Sequence, residues 1–201
     1  MSEMTPAQTS GFNWKRTVIA IVACVPIIAL FYFGLHTDPR EIASRMPGRP
    51  APDFTLTDMA DSSRVTLASM RGNYVVINFW ASWCAPCRVE HNELVQTANA
   101  YTPRGVKFVG ILDGDTPAGA QRYFEQMGPT PYPTLLQTTS HTGIDFGLNG
   151  VPETFIVDPH GNIRYALKGA WGVPLKDGDP APNLAMVLDS LMAVDKRAAG
   201  K

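Results

Sequence analysis

Two cysteines, Cys84 and Cys87, sit two residues apart in "NFWASWCAPCRVEH" (78–91), directly after an apolar run and directly before a polar one. Thiols at that spacing could form a redox couple, supply half of a metal site or lock a structural disulfide. Placement favours redox chemistry. Cys84 falls where a buried strand is expected to end and a helix to begin. Unpaired backbone N–H groups and the positive end of the helix dipole at such a junction stabilise the thiolate, the nucleophilic form. Cys87, one turn on, is close enough to form a ring with Cys84 and is expected deeper, which suits it to resolve a mixed disulfide by attacking Cys84. Pro86, in the first turn, costs no intrahelical hydrogen bond.

The competing chemistries have less behind them. Cys84, Cys87 and His91 have a spacing that could supply three metal ligands, but a fourth ligand and a second C-x-x-C are missing. No metal and no cofactor is expected, and His91 is expected at the surface or the edge of a cavity. A purely structural bridge closing so short a loop would restrict the unfolded chain little.

The elements that must position the pair follow from the apolar pattern. Tyr74 to Ala81, "YVVINFWA", is a near-continuous apolar run of strand length, as expected of a strand buried on both faces. A helix is predicted from about Ala85 to Tyr101, with Val89, Leu94, Val95 and Ala98 on one side, and a second buried strand over Val106 to Leu112. Strand, helix, strand with a crossover implies parallel pairing there. A further helix is bounded by Thr116 as N-cap, Pro117 at the first helical position and Gly128 at its end. Then come a strand at "TLLQT", an irregular segment at "SHTGIDFGLNG", and two strands, "ETFIVD" and "IRYALKG", joined by "PHGN". A last helix is expected from about Pro182 to Arg197. Upstream, "DFTLTD" and "SRVTLASMRG" read as short strands around a polar turn.

The N-terminal part has a different character. Thr17 to Leu35 carries no charge, and at about 1.5 Å of rise per residue it is long enough for a bilayer core. Lys15 and Arg16 precede it, so the positive-inside bias puts residues 1–16 in the cytoplasm and everything after residue 36 outside. "IVAC", ending at Cys24, resembles a lipoprotein cleavage site, but the apolar stretch continues past it, which favours a retained helix. Pro26 within it is tolerated in membranes. Residues 36–50 read as a linker, and residues 51–197 as the redox domain. With a formal net charge of -1 and no basic stripe, nucleic acid is not an expected partner.

"FWASWCAPC" after a buried strand, with "GVPETFIVD" later in the chain, resembles the thioredoxin-fold proteins of the membrane-anchored TlpA/ResA/CcmG group, over about residues 38 to 170. "DPREIAS", "GRPAPDFTL", "CRVEH" and "GIDFGLNGVPETFIVDPHGNIRY" are similar to the CcmG (DsbE) branch, which supplies reductant for cytochrome c maturation. The implied fold is α/β: thioredoxin-like, with an N-terminal β-hairpin extension and a central insertion, preceded by one transmembrane helix. The resemblance further implies that Pro152 is the cis-proline opposite Cys84, with the Val151 backbone offered to an extended substrate. Glu90 and Glu153 match the carboxylates that the family carries near the dithiol. Glu90 is one turn beyond Cys87 on the same helical face and Glu153 begins the strand next to Pro152, so each could raise a thiol's pKa or shuttle its proton. Trp83 is expected as an apolar rim beside Cys84, and Trp80 as rim or core. Asn149 and "ILDGD" depart from the branch where its substrate groove lies.

The function so implied is a thiol:disulfide oxidoreductase of the bacterial inner membrane, with its catalytic domain in the periplasm, reducing the C-x-x-C-H disulfide of apocytochrome c. Its partners would be apocytochrome c or another disulfide-bearing periplasmic protein, cytochrome c maturation components, and a DsbD/CcdA-type membrane electron donor. Ala85 and Pro86 add no positive charge between the cysteines, which favours a reducing potential. The competing readings are a general TlpA/ResA-like reductase, a thiol peroxidase, since "GRPAPDFTL" also opens peroxiredoxin-like chains, and an apocytochrome-binding module.

Overall fold

The computed structural model describes residues 14–36, 47–137, 141–174 and 181–199. The chain divides into two units, residues 1–43 and 44–201. The first holds helix α1 (Trp14–His36), with Pro26 inside it and Cys24 an exposed free thiol. Among the described residues no helix is long and apolar enough to cross a membrane. The expected tail, up to residue 13, and residues 37–46 of the expected linker lie outside the described residues.

The second unit is built on one strand. In β3 (Val75–Trp80) all six residues are buried, as the unbroken apolar run predicts, and it lies inside a seven-stranded sheet. β4 (Lys107–Leu112) pairs with it in parallel, after a crossover through α2 (Ala85–Tyr101), and β5 (Thr134–Leu136) is parallel to β4 after α3 (Pro117–Met127). On the other side, β6 (Glu153–Val157) is antiparallel to β3, and β7 (Ile163–Lys168) to β6. β1 (Thr55–Asp58) and β2 (Arg64–Thr66) form the expected N-terminal hairpin, which joins the sheet through β5, giving the order β2-β1-β5-β4-β3-β6-β7. Residues 48–51 run beside β7, with an isolated bridge between Pro50 and Asn162.

Side-chain alternation divides the core between the two faces of the sheet. Val75, Ile77 and Phe79 of β3 pack with Ile111, Phe155 and Phe146 on one face. Val76 packs with Ile156, Leu94 and Ala98 of α2, and with Leu184 and Leu188 of α5 (Leu184–Ala199), on the other. Trp80 continues that second face into a cluster with Cys84, Cys87, Leu112 and Tyr123, so Trp80 is core.

Three details differ from the sequence reading. The segment read as irregular contains a short helix, α4 (His141–Asp145). It is anchored by the fully buried Phe146, whose ring lies 5.5 Å from that of Phe79 and 5.1 Å from that of Phe155. Burying such a ring is worth about 1.5–3 kcal/mol, which suffices to hold one turn too short to show a period. In α2, Val89 is 62% exposed, and the inner stripe is Cys87, Glu90, His91, Leu94, Thr97, Ala98 and Tyr101. A search for apolar positions passes over three buried polar residues there, Glu90, His91 and Thr97. His91 is not at the surface, being 4% exposed, but it does border a small cavity, the other place expected for it.

Candidate active site

The redox pair occupies the junction between β3 and α2. Ala85 and Pro86 open the helix, and Cys84 is its N-cap, with extended backbone and its Sγ accepting the Cys87 N–H at 3.1 Å. A thiol in place of the usual Ser or Asp cap puts sulfur where the orphan N–H groups of a first turn converge. Cys84 and Cys87 are joined as a disulfide, and both are buried. Trp83 is 66% exposed, held by its Nε1–H donating to the Gly114 carbonyl at 3.2 Å. The Val151–Pro152 bond is cis, and half-buried Val151 packs against the cysteine cluster.

A clamp fixes the approach to Cys84. One oxygen of Asp115 accepts the Ser82 N–H at 2.6 Å and the other the Thr116 N–H at 2.7 Å, where α3 begins. Gly119 makes room for it, since a Cβ there would lie 2.5 Å from Asp115 Oδ1 and 2.8 Å from Ser82 Oγ. Asp115 and Gly114 both lie in "ILDGD".

Behind Cys87, Glu90 is 1% exposed. Its Oε1 accepts from Asn78 Nδ2 at 2.8 Å and its Oε2 from the Trp171 N–H at 3.0 Å. Asn78 Nδ2 and Trp171 Nε1 each also donate to Thr154 Oγ1 at 3.0 Å. Burial pushes the Glu90 carboxyl up to about 7, against the two N–H bonds, which favour the ionised form. Asn78, Thr154 and Trp171 were missed by the sequence reading. An asparagine inside an otherwise apolar strand was the available signal, because a buried polar side chain nearly always has a specific partner.

Glu153 is placed differently. It follows Pro152 and pairs in register with Phe79, on the face of Phe155, whereas Glu90 meets Asn78 and Thr154 on the face covered by α2. The sheet therefore separates the two carboxylates that the resemblance places near the dithiol. Glu153 Oε2 accepts the Asn149 N–H at 3.3 Å, and among the described residues Oε1 has no partner. Burial raises its pKa, with the Asn149 N–H and the Lys168 charge pulling the other way. Asn149 is exposed and uses its backbone N–H for this contact.

His91 packs edge-on against the Tyr123 ring at 5.4 Å, and the Tyr123 hydroxyl donates to the Cys87 carbonyl at 3.2 Å. Arg88 lies over the same ring, 5.1 Å from its centroid. Among the described residues no group of His, Cys, Asp or Glu is arranged to hold a metal ion. The arrangement holds a sulfur at a helix N-terminus, a second sulfur one turn behind it, an exposed Trp83 next to the first in the chain and a half-buried Val151 packed against the pair. Those are the parts a dithiol exchange needs.

Comparison with known proteins agrees. Residues 47–166 match the AhpC/TSA family. The chain is 37% identical to the thiol:disulfide interchange protein DsbE of Allochromatium vinosum, over 77% of this chain and 84% of that one. It is 35% identical to DsbE of Pseudomonas aeruginosa, over 87% and 97%. Among solved structures, a thiol:disulfide interchange protein of the thioredoxin family from Chlorobium tepidum superposes with a TM-score of 0.55 at 30% identity, covering 61% of this chain and 86% of that one.

Proposed function

Because the chain belongs to the AhpC/TSA family, among the DsbE-type thiol:disulfide interchange proteins, and is a thiol:disulfide oxidoreductase, we propose that it acts as a reductant in cytochrome c maturation. Its substrate would be the disulfide of an apocytochrome C-x-x-C-H motif. The observation that supports exchange most directly is Cys84 as N-cap of α2, its sulfur accepting the Cys87 N–H. In the reduced protein that same N–H stabilises a Cys84 thiolate.

The Cys84 thiolate attacks one sulfur of the substrate disulfide, the other sulfur leaves as a thiolate, and a mixed disulfide forms. Cys87, once deprotonated, attacks Cys84 Sγ and expels the second substrate thiolate, which takes up a proton. Two electrons pass to the substrate, two substrate thiols form, and the Cys84–Cys87 disulfide remains. Trp83 and Val151 flank the sulfur where an extended substrate would lie. Glu90 and Glu153 act as buried carboxyl groups on either side of the sheet, near the dithiol, disfavouring thiolate formation until substrate binds. A membrane dithiol donor of the DsbD/CcdA type would then return the protein to its reduced form.

The membrane anchor rests on the sequence alone, on the uncharged run from Thr17 to Leu35 and the Lys15–Arg16 pair before it, which argues for an outward-facing domain; no described helix is long and apolar enough to be a span. An oxidising outer compartment is where a dedicated reductant is needed. To test the substrate assignment, the full-length Cys87→Ala variant is expressed in its host and its mixed disulfides at Cys84 are trapped with acid. Apocytochrome c or a maturation component is expected. Capture of unrelated periplasmic proteins alone would make the chain a general disulfide reductase.

A further inference from the structure

Cys87 presents a difficulty that the exchange scheme leaves open. It is 2% exposed, yet it must lose a proton before it can attack Cys84. Glu90 is one helical turn away, but both of its oxygens are already engaged, by Asn78 Nδ2 and by the Trp171 N–H. Those bonds favour the charged carboxylate and hold it toward the sheet. A different path opens on the other side of the thiol.

A cavity of about 10 Å³ touches Cys87, and its polar lining comes from Asn78, His91, Tyr123, Thr130 and Tyr132. Glu90 does not line it. The volume suits about one water molecule, and the lining offers the several polar partners that a buried water requires. His91 is four residues after Cys87 in α2, so the two side chains share a helical face and open on the same void. On its far side the imidazole meets the backbone of Met127 and Gly128, where α3 ends. Carbonyls at a helix C-terminus lack intrahelical partners, so a ring N–H donated there fixes the imidazole.

We propose that one water in this cavity links the Cys87 thiol to His91, and that the proton Cys87 must lose leaves by that route. The proposal rests on the reading of Cys87 as the resolving thiol. In the step, Cys87 Sγ–H gives its proton through the water to an imidazole nitrogen. The Cys87 thiolate then attacks Cys84 Sγ, the Cys84–Cys87 bond forms, and the substrate thiolate leaves, later taking up a proton. Burial lowers the pKa of His91, against the pull of the Met127 and Gly128 backbone, so the ring is neutral near pH 7 and able to accept. The other titratable or charged groups around this pair are Cys84, Arg88 and Glu90 from α2, Tyr123 from α3, and Tyr132 from the segment before β5. The two tyrosines are pushed up by burial and stay protonated throughout the working range. His91 is thus a positioning and relay residue, whereas Glu90 does not border the cavity and has both oxygens engaged elsewhere.

The experiment uses the reduced full-length protein with Cys24→Ser, which removes the exposed third thiol, mixed with dithiobis(nitrobenzoate) and followed by stopped flow across pH. The first coloured thiolate released reports Cys84 attack, and the second reports resolution by Cys87. His91→Gln keeps an N–H for the end of α3 but cannot take up a proton. It is expected to leave the first release unchanged, slow the second by about ten- to hundredfold near pH 7, and move its rising limb to higher pH. Thr130→Ile, which fills the cavity while leaving His91 in place, is expected to slow the second release in the same way, and it decides the matter if His91→Gln loses the first release by misfolding. A second release with unchanged rate and pH profile in these variants overturns the relay. Absence of a two-step release with Cys24→Ser alone would instead overturn the dithiol reading beneath it.

Discussion

Glu90 and Glu153 are both 1% exposed, and burial pushes both upward in pKa, but the two faces of the sheet treat them differently. On the α2 face, Glu90 is bound by donors from β3 and from the segment after β7, and Thr154 completes the network. On the opposite face, Glu153 has one long bond from Asn149 and an oxygen with no partner among the described residues. A carboxylate built into a network cannot be removed without orphaning its donors. One held by a single backbone N–H can change protonation state at little structural cost. Burial alone thus does not assign a role; the number of satisfied oxygens separates a structural charge from a switchable one.

The sharpest way to break this contrast is Asn78→Asp, which puts a second carboxylate against Glu90 and removes the donor that Glu90 and Thr154 share. It is expected to cost about 3–5 kcal/mol at pH 8, read by urea unfolding. Part of the loss should return below pH 6, as the two groups come to share a proton. Next in size, Glu90→Ala leaves Asn78 Nδ2 and the Trp171 N–H without their acceptor, a loss of about 2–4 kcal/mol.

The pH dependence carries the same contrast. Glu90 titrates at about 7 in the folded protein against 4.5 as a free side chain, so the folded state holds the proton more tightly. The resulting stabilisation is fully present below about pH 4.5 and is lost as pH rises through about 7, on the order of 3 kcal/mol in all. Glu90→Gln should flatten that part of the stability profile. If the profile of Glu90→Gln keeps the original slope between pH 5 and 7, Glu90 is not the group responsible.

Smaller effects should follow on the other face. Glu153→Gln orphans no network donor and removes a buried charge, so its stability at pH 7 is expected within about 1 kcal/mol of the original, on the stabilising side. A loss larger than that would mean that Oε1 has a partner in solution. Lys168, opposite Glu153 in the β6–β7 register, pulls the carboxyl pKa down. Lys168→Met should therefore raise the titration midpoint of Glu153, and only modestly, because the lysine is half-buried and its charge is screened. Carbon-detected NMR of the carboxyl group reads this directly.

Much of the scaffold was legible in the residues. Thr116, Pro117 and Gly128 bounded α3 correctly, with the Thr116 hydroxyl accepting the Gly119 N–H at 3.1 Å. The apolar run at β3 and the C-x-x-C after it located the strand–helix junction. α2 began and ended as expected, but its inner face did not follow from its apolar residues: Val89 points to solvent while Glu90 and His91 point inward. α4 escaped notice because a five-residue helix is too short for a hydrophobic period and is held by one buried ring, Phe146. Ser82, Asp115 and Gly119 gave no sign of their clamp, which depends on the end of β4 returning beside the start of α2.

The sequence by itself determined what is local: which thiol caps a helix, where strands give way to helices, and which pair of sulfurs can meet. Those outcomes depend on φ preferences, capping groups and periodicity within a few residues. Only the tertiary structure decided what is buried against what. The N–H that binds Glu90 comes from Trp171, and the strand that places Glu153 across the sheet is set by its register with Phe79. Such contacts arise when distant segments settle into one packed core, where strand alternation commits each side chain to one face.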